Sequence, residues 1–274
     1  MFKEINSLKV HARNILLPNY KYFPLPTVLF MLSNAVSYLI LNGFTSNFVW
    51  NDLHIVLRVL LPIIFLLCEF VGWPLAVALI FKITIVITAK KDENIKAVVK
   101  RFLTPKNILK ITIINFIPRL FTVFFDVKNV APFGLQIPEI NNIVLLILLL
   151  VSMYITYRLF ACNYCFALNE ASVKETLLSS IKITKNTLGK YISWYLSFLP
   201  WGLLIAGVHT VLKSVICTGQ ITVAAYAAVS DISTPLLDML AISFGYGSDF
   251  YIVPYMYVTL GLFIDGLLNN KQGQ

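Results

Sequence analysis

Residues 56–89 read VLRVLLPIIFLLCEFVGWPLAVALIFKITIVITA. This stretch has three charged side chains, Arg58, Glu69 and Lys82, and is otherwise almost entirely apolar. As one straight helix it would run roughly 50 Å at 1.5 Å per residue, whereas the hydrocarbon core of a bilayer is about 30 Å thick. The stretch is therefore more than long enough to cross a membrane, and it predicts an integral membrane protein.

The composition of the whole chain supports this class. Of its 274 residues, 58% are hydrophobic and 13% are charged, against about 25% charged residues in soluble domains. Lipid gives backbone groups no hydrogen-bond partner, so the apolar runs should be helices. We expect an all-α, polytopic transmembrane helix bundle in one integral membrane domain, 1–274, with about six spans near 24–42, 56–89, 108–125, 141–168, 190–212 and 250–268.

Two further segments lie outside these spans. Residues 1–23 contain Lys3, Lys9 and Arg13 and are expected to form a cytoplasmic amphipathic segment. The apolar run that follows lacks a small-residue cleavage site, so we interpret it as a retained helix rather than a signal peptide. The semi-apolar segment 213–249 is expected outside the cell as interfacial or re-entrant helices, and an eight-span count remains the alternative.

The net charge of +9 reflects an excess of lysine and arginine, whose distribution indicates how the protein is oriented in the membrane. With six spans both termini share one side, and most of the 22 lysines and arginines fall there. Lysine and arginine in short loops mark the cytoplasmic side, so both termini are expected to be cytoplasmic. No soluble basic face with base-reading residues is evident, which argues against a nucleic-acid partner.

The basic segments have helical patterning. In 95–103, Ile95, Val98, Val99 and Phe102 recur at helical spacing with the charges off that stripe. The second basic segment opens with a capping box at 172–175 and is expected to have an apolar stripe over 173–181. Such segments can lie in the headgroup plane and bind anionic lipid, or a cytoplasmic or membrane protein partner. The alternative is that they only fix the topology. The candidate surface comprises Lys96, Lys100, Arg101, Lys174, Lys182 and Lys185.

A second set of candidate residues lies at membrane depth. A charge there is expensive and normally faces a partner or a water-filled cavity, so pairing of Glu69 with Arg119 or Arg158 is expected. Lys82 is expected to extend to the cytoplasmic side. Gly72 and Pro74 follow Glu69 and predict a kink or break in the second span. The buried polar network is either structural or part of a substrate path, and its candidate members are Glu69, Arg119, Arg158 and Asp265.

Catalysis has little support in the sequence. The chain has 3 histidines and 4 cysteines, and it lacks the common metalloprotease, hydrolase and phosphate-binding motifs. The Cys162-x-x-Cys165 pair sits in an apolar run without a second pair or a nearby histidine, so packing explains it better than metal binding. We predict no catalytic residue, metal site or cofactor.

The C-terminal half carries a recognisable order of short elements: Tyr157-Arg158, Asn169-Glu170, Ser197-Phe198…Trp201 and Val253-Pro254-Tyr255. With this order the chain resembles the domain-of-unknown-function 975 family of bacterial multi-pass membrane proteins. Two departures from the family pattern are Pro200 before Trp201 and a long segment before Pro254. The resemblance implies the architecture and a bacterial cytoplasmic membrane, but no ligand or catalytic residue.

These observations predict a non-enzymatic integral protein that acts as an envelope-associated scaffold or accessory factor. A small transporter or channel that uses the second span around Glu69 is the first alternative. A membrane-embedded lipid-modifying enzyme is the second.

Overall fold

The computed structural model of the chain describes residues 2–40, 54–89, 94–130, 142–201, 203 and 252–269. Over these ranges the chain is helical, with no strand, as the all-α prediction requires. In chain order the helices are α1 (Phe2–Asn19), α2 (Pro24–Leu39), α3 (Ile55–Leu67), α4 (Trp73–Thr88), α5 (Ile95–Phe102), α6 (Pro105–Val130), α7 (Asn142–Leu159), α8 (Cys162–Asn169), α9 (Val173–Thr184), α10 (188–201) and α11 (Ile252–Asn269).

Within the described ranges, three helical segments are long and apolar enough to cross a membrane: Ile55–Thr88, Ile143–Asn169 and Ile252–Asn269. Only 6% of the apolar window in Ile143–Asn169 is buried within the protein, so most of this surface is available to lipid. The protein is therefore a polytopic transmembrane helix bundle. The count of six spans stays a prediction, and the external segment 213–249 lies outside the described residues.

The long second span stays helical from Ile55 to Thr88, through Gly72 and Pro74. The kink or break expected at these two residues stays a prediction. Between α3 and α4 the chain forms a π-helical turn, Cys68–Gly72, in which the Trp73 N–H donates to the Cys68 carbonyl oxygen. Pro74 has no N–H to donate to the carbonyl four residues earlier. The wider turn lets the helix continue through the proline, and it places Glu69 within the widened segment.

Helix α4 is the centre of the bundle. It packs mainly against α2 and α8, and Ala76 and Ala78 are fully buried. Small side chains at these positions let neighbouring helices approach closely, which is how membrane helices gain packing energy. The Phe81 ring makes edge-to-face contacts with Tyr164 at 5.6 Å and Tyr257 at 5.8 Å. This core determines where the polar groups of the neighbouring helices can meet.

The apolar faces of two basic helices pack onto this core. In α5, Val98 and Phe102 are buried, and in α1, Ile5, Ala12 and Leu16 are buried. Burial against protein fixes how each helix is rotated about its axis. The basic side chains of α5 are therefore presented in a defined direction.

Helix α9 differs from its expected apolar stripe. Its inward face carries Thr176, Ser180 and Thr184, which recur every four residues and are buried, whereas Leu178 is 56% exposed. The Ser180 hydroxyl donates to the Arg158 carbonyl oxygen at 2.9 Å, at the end of α7. These short hydroxyl side chains are satisfied by backbone oxygens, so a polar face can pack inside the protein.

Candidate functional site

Of the two ion pairs in the polar interior of the described residues, the more buried one joins Glu69 and Arg119. The Arg119 guanidinium donates to the Glu69 carboxylate and, at 3.2 Å, to the Glu69 backbone carbonyl oxygen. The two side chains are 8% and 13% exposed. The guanidinium also lies 4.4 Å from the centre of the Trp73 ring, which favours a cation electrostatically. Because each charge has its opposite charge and hydrogen bonds, this pair can remain buried at membrane depth.

An amide pair lies next along α6. The Asn115 amide donates to the Asn163 oxygen at 2.7 Å, and Asn163 donates back at 2.9 Å. Both residues are buried. The reciprocal pair satisfies two polar groups that would be costly alone in a low-dielectric interior, and it fixes α6 against α8.

A second ion pair lies where α4, α5, α6 and α8 meet. Lys82 donates to a Glu170 carboxylate oxygen at 2.7 Å and to the Ala167 carbonyl oxygen at 3.0 Å. Asn107 donates to the other Glu170 oxygen at 3.2 Å and to the Phe102 carbonyl oxygen at 3.1 Å. Lys82 therefore does not extend to solvent as a lone charge but is buried and bonded within the bundle.

This cluster also completes the C-terminal end of α8. Glu170 has a φ of 50°, the left-handed conformation that commonly ends a helix. The Lys110 ammonium donates to the carbonyl oxygens of Glu170 at 3.2 Å and Ala171 at 3.0 Å. Lysines at this end satisfy carbonyl groups that have no helical partner and complement the helix dipole.

The Glu170 carboxylate has a lowered pKa. Its partial burial opposes ionisation, but the hydrogen bond and charge of Lys82, with the Asn107 hydrogen bond, outweigh burial and hold the pKa below the ordinary 4.5. A carboxyl with a lower pKa in the folded state binds fewer protons there than in the unfolded state. Its stabilising contribution is therefore complete above pH 4.5 and is lost as the pH falls through the folded-state value.

We expect Glu170→Gln to flatten the acid side of the stability profile. The wild-type protein should lose unfolding free energy as the pH falls below 4.5, and the variant should lose less because glutamine does not titrate. Thermal unfolding in detergent across this pH range measures the difference. In a Lys82→Met background the Lys82 charge no longer opposes the effect of burial, so the same substitution should no longer flatten the profile, and an unchanged effect there would contradict the assigned cause.

Together these contacts form one polar seam along α6. We define the seam by residues from α6 and their partners: Asn107, Lys110, Asn115 and Arg119, with Glu69, Lys82, Asn163 and Glu170. From Asn107 to Arg119 the seam covers roughly 18 Å of helix. Because it links the π-helical turn, α4, α6 and α8, it holds these four segments in one arrangement.

The other two candidate residues of the network lie apart from Glu69. The Arg158 backbone carbonyl accepts from Ser180, at the end of α7. Asp265 accepts from the Tyr164 hydroxyl at 3.2 Å and from the Asn269 amide at 3.2 Å. The structure thus brings Glu69 and Arg119 together, while Arg158 and Asp265 serve different helix contacts. Whether any of the four acts in function stays a prediction.

The candidate basic surface is formed by exposed side chains of two helices. We name it the basic end, and its members are Lys96, Lys100, Arg101, Lys174, Lys182 and Lys185. They come from α5, from α9 and from the residue that ends α9. The predicted capping box is present and starts α9 firmly, because Ser172 and Glu175 bond each other's backbone N–H.

Sequence reasoning missed Asn107, Asn115, Asn163 and the role of Glu170. A signal was present, because Asn107, Asn115 and Arg119 are separated by multiples of four residues and so share one face of α6. The partner positions on α8 carried no comparable mark. Only the packing of α8 against α4 and α6 brings them into contact.

The described residues contain no group of three or more His, Cys, Asp or Glu side chains that could hold a metal ion. Cys68, Cys162 and Cys165 are free thiols in this part of the chain. Cys162 and Cys165 are buried in the hydrophobic core. Their placement agrees with a packing role.

The comparisons with known proteins identify a family. The model of the family described as "Protein of unknown function (DUF975)" matches residues 1–271. No curated protein matches the chain, and no solved structure matches it. The resemblance inferred from the short C-terminal elements is thereby confirmed over nearly the whole length, and the chain belongs to the DUF975 family of proteins of unknown function.

Proposed function

We propose that the protein is a non-enzymatic membrane scaffold or accessory factor. It presents the α9 part of its basic end, Lys174, Lys182 and Lys185, to a partner while the polar seam keeps the transmembrane bundle rigid. One observation carries this proposal. The ion pairs Glu69–Arg119 and Lys82–Glu170 lie within the seam, and the side chains of the basic end are exposed at the protein surface.

The orientation of this surface follows from charge. Lysine and arginine near membrane spans favour the cytoplasmic side, so the basic end is expected to face the cytoplasm of a bacterial cell. An anionic leaflet adds about 1 kcal/mol per basic residue near it. The partner that fits such a surface is an acidic protein segment at the membrane.

Affinity purification in mild detergent tests the proposal. We expect the wild-type protein to retain a defined protein partner that Lys174→Gln/Lys182→Gln/Lys185→Gln loses. The matched control is Lys21→Gln/Lys96→Gln/Lys100→Gln, which removes the same charge elsewhere and should retain the partner if α9 forms the docking surface. Recovery of no specific partner, or equal loss from both variants, would count against the scaffold.

Transport is the second candidate function, and the π-helical turn at Glu69 favours it. Such turns are frequent at functional sites, and ionisable residues within spans often line transport paths. A folded Glu69→Leu/Arg119→Met variant distinguishes the two functions. The variant should keep partner binding if the Glu69–Arg119 pair is only structural. It should abolish the uptake of a transported solute into proteoliposomes if the pair lies in a transport path.

A further inference from the structure

A cavity of about 540 Å³ opens beside the basic end. Its walls come from the turn before α2, the first residues of α2, the second half of α4, and α5. The volume lies in the range of roughly 300–1,000 Å³ typical of sites for small molecules. The cavity is thus large enough for part of a lipid and lies where the bundle meets its basic end.

The polar part of the cavity lining is basic. Lys21, Lys96 and Lys100 line it, and the described lining includes no carboxylate. Lys96 and Lys100 are four residues apart and so share one face of α5. The opposite side of α5 is anchored by Val98 and Phe102, which are buried in the protein. The core therefore holds the two lysines toward the cavity.

The remaining lining is mostly apolar. Leu79 and Ile83 of α4 contribute one wall, and Leu25 of α2 and Leu103 after α5 contribute others. Leu79 and Ile83 are almost fully buried in the bundle, whereas Leu25 is 61% exposed. Val99 and Leu103 are half-buried and add accessible apolar surface to that of Leu25. A soluble anion would gain nothing from these accessible walls, but an acyl chain would bury apolar surface against them.

We propose that this cavity binds one anionic diacyl phospholipid. Its phosphate group lies against Lys21, Lys96 and Lys100, and an acyl chain lies along Leu25, Val99 and Leu103. Charge complementarity selects an anionic headgroup, and the apolar walls select a lipid over free phosphate. The site does not depend on the scaffold function, because it involves a different surface from α9.

Native mass spectrometry of protein extracted from bilayers of phosphatidylglycerol and phosphatidylcholine tests the proposal. The wild-type protein should retain phosphatidylglycerol in preference to phosphatidylcholine. In Lys21→Gln/Lys96→Gln/Lys100→Gln, retention should fall on the order of 100-fold, since each lysine contributes about 1 kcal/mol near an anionic headgroup. In Leu25→Trp, a larger side chain at the exposed edge should also reduce retention without altering the core.

The matched control is Lys174→Gln/Lys182→Gln/Lys185→Gln, which removes equal charge from α9 and should retain the lipid. Three outcomes would overturn the proposal. An equal loss in the α9 control would show that general surface charge holds the lipid. Unchanged retention in Leu25→Trp would show that the cavity is not occupied. Complete displacement by inorganic phosphate would identify a phosphate site instead.

Discussion

Replacing Arg119 with methionine should lower the free energy of unfolding by about 3–5 kcal/mol, because the Glu69 carboxylate would stay buried without its opposite charge. Glu69 is 6% exposed and lies within the π-helical turn, where the bundle surrounds it. The substitution also removes the contact of the guanidinium with the Trp73 ring. Unfolding by sodium dodecyl sulfate in mixed micelles measures the change.

The paired substitution Glu69→Leu/Arg119→Met should recover most of the lost stability. Replacing a whole buried ion pair with apolar side chains of similar volume is often neutral or stabilising, whereas removing one partner is not. Arg13→Met is the control, because Arg13 is exposed on α1, and surface changes are usually within about 0.5 kcal/mol. If the Arg119 variant unfolds like the Arg13 variant, the pair does not stabilise the fold.

The helical membrane class could be predicted because it depends on local properties. The length of an apolar run such as 56–89 can be compared directly with the thickness of the membrane. In lipid its backbone can satisfy its hydrogen bonds only as a helix. The pairing of Glu69 was predictable for the same reason, since a deep charge needs a partner. The choice between Arg119 and Arg158 was not predictable, because it depends on which helices are neighbours.

For Lys82 and α9, the structure differs from what the sequence predicts. Lys82 has a flexible chain and lies near the end of its span, so extension to solvent was the natural expectation. The buried salt bridge forms because α8 ends at Glu170 beside it. In α9, the apolar stripe was read from hydropathy alone. The buried hydroxyl face depends on carbonyl oxygens that another helix supplies.

The polar seam contains the asparagines that sequence reasoning missed on α6 and α8. Asparagines within apolar runs carry no charge and so are not marked by charge patterns. Each nevertheless needs a hydrogen-bond partner once water is excluded. Asn115 and Asn163 are acceptable in the core because α6 and α8 present them to each other. The spacing by multiples of four residues on α6 could have marked Asn107, Asn115 and Arg119, whereas tertiary packing decides their partners.

Gly72→Ala should lower the free energy of unfolding by about 1–3 kcal/mol, the usual cost of overpacking a tight contact. A Cβ atom at Gly72 would lie 2.2 Å from the Ser33 hydroxyl oxygen and 3.3 Å from the Ser33 Cβ. Ser33 is buried on α2, so its hydroxyl must rotate away, and the 3.3 Å contact with its Cβ must still widen by separating α2 from the π-helical turn. Because membrane helices are held together largely by close packing of small residues, that separation is costly.

Ser33→Ala in the Gly72→Ala background should restore more than half of the loss, since it removes the nearer of the two Ser33 atoms. Gly266→Ala is the matched control, because a Cβ there meets nothing within 4 Å. Within α11 alanine has the better helix propensity, so that variant should gain up to about 1 kcal/mol. If both alanine variants unfold alike, or if Ser33→Ala restores nothing, close contact between α2 and the π-helical turn does not limit packing. If the expected order is observed, glycine at position 72 serves helix approach rather than helix breaking.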